Sequence, residues 1–115
     1  MRVTTELWVA AMVRRAFSAG GFAAVSRRGA AEAGAVMIVL RGRFGDARLF
    51  APAPQTSYDA ARPEDRRFVE VQQVEDEEAL RTRIERETRF DPDLWLVEFE
   101  LDDAAFSELV DVTTP

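Results

Sequence analysis

Six consecutive apolar residues at positions 35–40, Ala-Val-Met-Ile-Val-Leu, constrain this chain more than any other feature of its sequence. A strand that is buried on one face alternates apolar and polar residues, whereas a strand that is apolar on both faces needs cover on both. We therefore expect residues 35–43 to form an interior strand. The chain has 115 residues, a length that supports one hydrophobic core, so we expect a single domain over residues 1–115.

Capping residues and apolar periodicity place the other elements around this strand. A first helix is predicted from the Thr4–Thr5 cap to the Gly20–Gly21 stop, a second from Asp76 to about Phe90, and a last turn after Asp102 or Asp103. Further strands are predicted over residues 22–28, 47–51, 68–71 and 94–101, with a tight turn at Gly45–Asp46 before the second of them. The proline-containing stretch 52–67 is predicted to be a long connection.

This order of elements predicts a mixed α/β domain with a five-stranded sheet and helices on both faces, which is a three-layer α-β-α arrangement. The alternative is a two-layer α+β fold in which all the helices lie on one face. The strand–helix–strand unit over residues 68–101 is expected to form a right-handed crossover if both of its strands run parallel in the sheet.

The residue types that are missing exclude several classes of chemistry. The chain contains no cysteine, histidine or lysine, and all 15 basic residues are arginine. Disulfides, zinc fingers, cysteine nucleophiles, histidine general bases and lysine Schiff bases are therefore impossible. We expect no cofactor and no metal, and we interpret Asp91–Pro92–Asp93 as a hydrogen-bonded turn rather than a cation site. Catalysis is the least favoured function class.

Charge is distributed unequally along the chain, whose net charge is −6. Residues 1–67 contain 11 arginines and 6 acidic residues, whereas residues 68–115 contain 4 arginines and 15 acidic residues. Because both halves show the alternation of folded segments, we interpret the asymmetry as two halves that pack together and neutralise each other. A two-fold or head-to-tail oligomer is the alternative.

The predicted hairpin gives the sharpest hypothesis about a site. If Gly45–Asp46 is a two-residue turn, Arg43 lies opposite Arg48, and alternation places Arg41 on the same sheet face. Like charges opposite each other in an antiparallel pair are destabilising, so something must offset them. The candidates are a carboxylate of Glu70, Glu98 or Glu100, solvent exposure with the guanidinium groups apart, or a bound anion held by bidentate contacts.

Residues outside the hairpin complete the set of candidates for binding a ligand or partner. Tyr58 lies in the long connection, where no apolar pattern assigns it to the core. Trp8 and Trp95 each sit in an amphipathic pattern, so we expect them in the core or at its margin, with an exposed interface anchor as the alternative. The full set of candidate binding residues is Arg41, Arg43, Arg48, Tyr58, Arg66 and Arg67.

Several sequence segments are shared with a known family. They are ELWV at 6–9, RR at 14–15, GGFAAV at 20–25, RRG at 27–29, APAP at 51–54, RF at 67–68 and FDPDLWLVE at 90–98. With these segments the chain resembles the small bacterial proteins known as domain of unknown function 1491, over nearly its whole length. The resemblance implies a single-domain cytoplasmic bacterial protein and brings no established activity, cofactor or catalytic residue.

Two function classes follow for this chain. The first is a non-catalytic cytoplasmic domain that binds another protein or itself as a homodimer. The alternative is a module that binds an anion, a nucleotide or a nucleic acid through an arginine-rich face.

No membrane association is expected, because no segment approaches the ~18 consecutive apolar residues of a membrane span. Charged residues, Glu6 among them, also interrupt a signal-peptide pattern at the N-terminus.

Overall fold

The apolar run forms the centre of a sheet. The structure is a computed structural model that describes residues 3–54 and 66–114. In chain order its elements are α1 (Thr5–Ser18), β1 (Phe22–Arg27), β2 (Val36–Arg41), β3 (Ala47–Pro52), β4 (Arg67–Val74), α2 (Glu77–Phe90), β5 (Trp95–Glu100), α3 (Asp103–Leu109) and β6 (Asp111–Val112). Strand β2 is buried from Val36 to Leu40, so the expected interior strand is confirmed.

The helices begin where the capping residues predict. Thr4, Asp76 and Asp102 each accept a hydrogen bond from a backbone N–H of the first helical turn, at 2.8–3.2 Å. These bonds satisfy donors that have no partner inside the helix. Gly20 follows α1 with a φ of +86°, a left-handed conformation that suits glycine at the end of a helix.

The sheet order is β1-β5-β2-β3-β4-β6. Strand β2 pairs in parallel with β5 and antiparallel with β3, so the apolar run has a hydrogen-bonded neighbour on each side. Six strands are present in the described residues, so the expected count of five is wrong. The additional strand, β6, pairs only Asp111 and Val112 with β4, and two residues are too few to produce a period in the sequence.

Side-chain alternation along β2 divides the core into two clusters, one on each face of the sheet. Val36, Ile38 and Leu40 join the first cluster, and Met37 and Val39 join the second. The first cluster also holds buried residues of α1 and α3, namely Val9, Met12, Ala16 and Phe106. The second cluster holds Leu80 of α2, with Ile84 partly buried against it.

The mixed α/β class is confirmed, with helices contributing to the clusters of both faces. The two faces are nevertheless covered unequally. Helix α2 has only Leu80 fully buried, because its other positions are mostly charged. The result is a curled six-stranded sheet instead of the regular five-stranded, three-layer arrangement that the sequence suggested.

The FDPDLW segment is held against the loop that follows β1. Gly29 and Gly34 of that loop lie so close to the Asp93 carbonyl oxygen that a Cβ on either would come within 2.0 or 2.4 Å of it. Trp95 is 1% exposed, and its Nε1–H donates to the Ala30 carbonyl at 2.7 Å. The segment therefore has an architectural role, which is to fix the start of β5 against the loop.

Trp95→Ala should reduce the free energy of unfolding by about 3–5 kcal/mol, the usual cost of truncating a large buried side chain. Trp95→Phe should cost less, because it keeps part of the ring packing and loses the bond to Ala30. Urea unfolding of the three proteins measures both differences. A loss below about 1 kcal/mol for the alanine variant would contradict the burial of the indole.

Candidate functional site

The loop between β2 and β3 differs from the predicted two-residue turn. Leu40 pairs with Arg48 and Arg41 with Ala47, so the loop comprises residues 42–46. The Gly42 N–H donates to the Asp46 carbonyl at 2.9 Å, which closes the hairpin there. A Cβ on residue 42 would lie 2.3 Å from Asp46 Oδ1, so glycine lets the Asp46 carboxylate fold back over the turn.

This register separates the arginines that were expected to share a face. Relative to the predicted register the strands are displaced by three residues, and an odd displacement moves a side chain to the opposite face. Arg48 lies with Leu40 and Phe50 on the face of the sheet that bears the first cluster, which we call the first face. Arg41 lies with Val39 on the face that bears the second cluster, the second face. Arg43 lies in the loop. The prediction of three arginines on one face is wrong.

Arg41 is held between two carboxylates on the second face. Its Nε–H donates to Glu98 Oε1 at 2.7 Å, and Nη1 makes an ion pair with Glu77 of α2. Glu98 also accepts a hydrogen bond from the Ser26 hydroxyl of β1. Burial opposes the charge of Arg41, but the hydrogen bonds to Glu77 and Glu98 outweigh it and raise the pKa of the guanidinium above its ordinary value.

Arg48 has the equivalent arrangement on the first face. Its Nε and Nη2 both donate to Glu70 Oε1, at 2.9 and 2.6 Å, and Nη1 lies 3.3 Å from Asp103 Oδ1. The bonds to Glu70 raise the pKa of the guanidinium despite its partial burial. Neutralisation by Glu70 and Glu98 is therefore confirmed, and these ion pairs join the basic half of the chain to the acidic half.

The ends of β2 and β5 border an open cleft of about 640 Å³. Since β2 and β5 are parallel neighbours, their carboxyl ends meet at the same edge of the sheet, which is where open α/β sheets usually bind ligands. The loops after α1, β2 and β5 supply the lining. The charged residues among that lining are Arg41, Arg43, Asp46, Glu100, Asp102 and Asp103, and Phe44 and Leu101 are its large apolar residues.

Phe44 is the functional candidate that sequence reasoning missed. Its side chain is 92% exposed at the tip of the β2–β3 loop. The preceding residue, Arg43, is exposed as well. The predicted two-residue turn at Gly45–Asp46 would have made Phe44 the last paired residue before the turn, opposite Ala47. The only available signal was its position beside Gly45, whose φ of +87° puts the chain into a turn instead of a ladder.

Phe17 and Phe22 form a second exposed aromatic feature near this end of the sheet. Their ring centroids lie 5.5 Å apart in an edge-to-face arrangement, with each ring about half exposed. Phe22 pairs with Glu100 at the end of β5, one residue after the glycines that line the cleft.

Arg66, another predicted candidate, lies at the start of α1 and away from the cleft. Its Nη2 donates to Thr5 Oγ1 at 2.7 Å, and its guanidinium carbon lies 5.3 Å from the centroid of the Trp8 ring. Burial lowers the pKa of this guanidinium. It makes no ion pair with a carboxylate of the described residues. Arg67 makes an ion pair with Asp111 at 3.4 Å.

Two further sequence hypotheses concern Tyr58 and the Asp91–Asp93 pair. Tyr58 lies outside the described residues. Asp91 Oδ1 accepts a hydrogen bond from the Asp93 N–H at 3.1 Å, as expected for a turn. Across residues 3–54 and 66–114, no group of three or more acidic side chains is arranged to hold a metal ion.

The fold and the cleft define a small mixed α/β domain whose candidate site lies at the carboxyl ends of two parallel strands. Comparison with known families identifies the class. The chain belongs to the DUF1491 family, described as a protein of unknown function, which matches residues 3–109. The family resemblance seen in the sequence is thereby confirmed.

Solved structures from two bacteria have the same fold. A protein from A. tumefaciens, determined in solution, is 44% identical with a TM-score of 0.79, and the match covers 100% of both chains. A DUF1491 family protein from Caulobacter crescentus, solved as a crystal, is 37% identical with a TM-score of 0.76, and the match covers 98% of this chain and 99% of the other. No curated protein matches this chain. None of the described helices is both long and apolar enough to cross a membrane.

A double-mutant cycle of Arg41→Met and Glu98→Gln should give a coupling free energy of about 0.5–1 kcal/mol, because both side chains are about 30% exposed and water screens such pairs. The coupling should become smaller in 1 M NaCl, where the Debye length is only about 3 Å. Urea unfolding at the two salt concentrations measures it. A coupling of zero at low salt would show that Glu98 does not neutralise Arg41.

Proposed function

We propose that this chain is a non-catalytic protein-interaction domain that binds a protein partner at the cleft beside Phe44. The observation that carries the proposal is the 92% exposure of Phe44 on a hairpin loop at the edge of a cleft of about 640 Å³. We place the protein in the cytoplasm as part of the same proposal.

Residue types around the cleft support protein binding. Aromatic residues and arginine are enriched at the centres of protein interfaces, and the loop presents Arg43 and Phe44 side by side. The loop ends are held by the Gly42–Asp46 bond and by two of the most buried strands of the sheet. A loop that is anchored in this way loses little conformational freedom when it binds, which favours affinity.

The side chains at this end of the sheet also favour a non-catalytic role. The guanidinium groups of Arg41 and Arg48 are already paired with carboxylates. They are therefore poorly placed to stabilise a developing negative charge. The chain also has neither histidine nor lysine, the side chains that most often activate a serine or threonine nucleophile, so only a carboxylate could serve as the base.

Phe44→Ala should weaken partner binding at least about tenfold, as truncation of an interface anchor does, and leave the fold unchanged. The matched control is Phe90→Ala. Phe90 is 91% exposed at the end of α2, away from the cleft lining, so this variant should bind within about twofold of wild type. The probe is a phage-displayed library of random peptides selected on the wild-type protein, with affinities of synthetic peptides measured by calorimetry.

Three outcomes would overturn the proposal. They are failure to select any peptide, peptides that bind the Phe44→Ala variant as well as wild type, and equal losses in the Phe44 and Phe90 variants. Light scattering tests the alternative occupant, a second copy of the chain. A wild-type homodimer that the Phe44→Ala substitution dissociates would replace the separate partner by self-association at the same surface.

Anion binding is a second candidate function, which the position of Arg66 favours. A half-buried guanidinium without a carboxylate partner in the described residues loses hydration that no ion pair restores. Its location beside the first turn of α1 adds to the positive potential there, since the N-terminal end of a helix carries partial positive charge. A bound phosphate or carboxylate group would compensate for the lost hydration of the guanidinium and would neutralise the positive potential at the start of α1.

If Arg66 binds an anion, about 10 mM phosphate at constant ionic strength should raise the melting temperature by at least about 2 °C through mass action. Arg66→Met should abolish that rise while changing the stability by no more than about 1 kcal/mol, because it removes the cost of desolvating the charge along with the bond to Thr5. Arg43→Met, in the exposed loop, is the control and should retain the rise. An equal response in all three proteins would exclude Arg66 as an anion site.

A further inference from the structure

The end of the sheet that bears the Phe44 cleft has an excess of negative charge. Arg41 contacts two carboxylates, Glu77 and Glu98, and Arg48 contacts two others, Glu70 and Asp103. Each arginine therefore leaves one carboxylate charge uncompensated within its own cluster. The clusters lie on opposite faces of the sheet, and each contributes one side chain to the cleft lining, Arg41 from the first-named cluster and Asp103 from the other.

The residues that line the cleft also carry more negative than positive charge. Glu100 is exposed at the end of β5 and makes no ion pair with an arginine of the described residues. The Asp46 carboxylate lies beside Gly42 and Asp102 accepts a hydrogen bond from the Ala105 N–H, and neither makes an ion pair with an arginine of the described residues. Arg43 is the only guanidinium of the described lining that is not already paired with a carboxylate. Polyanions such as nucleic acids are repelled by this distribution, whereas cations are attracted.

The apolar part of the cleft determines what kind of cation fits. The exposed ring of Phe44 offers a face for an apolar side chain, or for a guanidinium or ammonium group above it. Gly20 and Gly45 stand at the edge with nothing within 4 Å of their Cβ positions. The backbone there is open to close approach by another chain. A small cation such as a metal ion would leave this apolar and backbone surface unused.

We propose that the partner segment is basic: a stretch of protein chain that carries lysine or arginine next to an apolar residue, with its cation facing Glu100 and its apolar side chain on Phe44. This rests on the proposed function, because it identifies the chemistry of the partner at the same cleft. Complementary charge raises the rate of association and selects the partner, while burial on Phe44 supplies affinity.

The test uses the peptides selected on the wild-type protein. We expect those that depend on Phe44 to be enriched in lysine and arginine, and to lose at least about tenfold in affinity between 0.05 and 0.5 M NaCl. Glu100→Lys should lower their affinity at least about fivefold. Glu85→Lys, which makes the same charge change on an exposed residue of α2 outside the cleft lining, should stay within about twofold.

The outcomes separate this inference from the function on which it rests. Peptides that need Phe44 but are neutral or acidic, or that bind the Glu100→Lys variant as well as wild type, would overturn the basic partner and leave the interaction domain standing. Absence of any peptide that depends on Phe44 would overturn both. A fluorescent 12-nucleotide single strand that binds wild type and not Phe44→Ala would overturn the basic partner in favour of nucleic acid.

Discussion

Burial of β2 on both faces is the constraint on which the rest of the structure depends. A strand that meets no water must have its backbone hydrogen bonds satisfied by neighbours and its side chains covered from above and below. β5 and β3 satisfy the backbone hydrogen bonds of β2, and the helices cover its side chains. These covering elements end at the carboxyl end of β2. The cleft and the exposed β2–β3 loop lie there, outside the core.

Electrostatics at this edge follow from the same packing. Arg41 and Arg48 lie at the boundary between core and solvent, where each is partly buried and needs counter-charges. The carboxylates that supply them come from β4, α2, β5 and α3, all in the acidic half of the chain. The unequal charge along the sequence thus corresponds to ion pairs between the basic half, residues 1–67, and the acidic half, residues 68–115. These pairs leave an excess of negative charge at the edge of the sheet that bears the cleft.

Most of the fold could be predicted from the sequence, because its signals are local or periodic. The run at 35–40, the caps Thr4 and Asp76 and the alternation of β5 each identify an element without knowledge of its neighbours. The register of the hairpin could not be predicted in this way. The hairpin closes with the bond from the Gly42 N–H to the Asp46 carbonyl, and the Asp46 carboxylate lies beside Gly42; a two-residue turn at Gly45–Asp46 would contain neither contact.

The candidate site was predicted less well than the fold for a related reason. Glu98 and Glu70 do pair with Arg41 and Arg48, but the sequence argument for such carboxylates assumed that Arg43 faces Arg48, which the observed register does not allow. Phe44 could not be recognised, since its exposure results from the length of the loop. Apolar residues are assigned to the core by default, and only the geometry of a turn reveals an exception.

The position of β5 between β1 and β2 has a consequence for the order of events during synthesis. Residues 22–41 leave the ribosome well before residues 95–100, yet the two early strands do not pair with each other and must wait for the late one to come between them. Until then the most apolar segment of the chain lacks its parallel neighbour, and such unpaired strands are prone to aggregate. Pairings so distant in sequence also slow folding. Truncation before Trp95 would therefore remove the strand that lies between β1 and β2 and leave both without that partner.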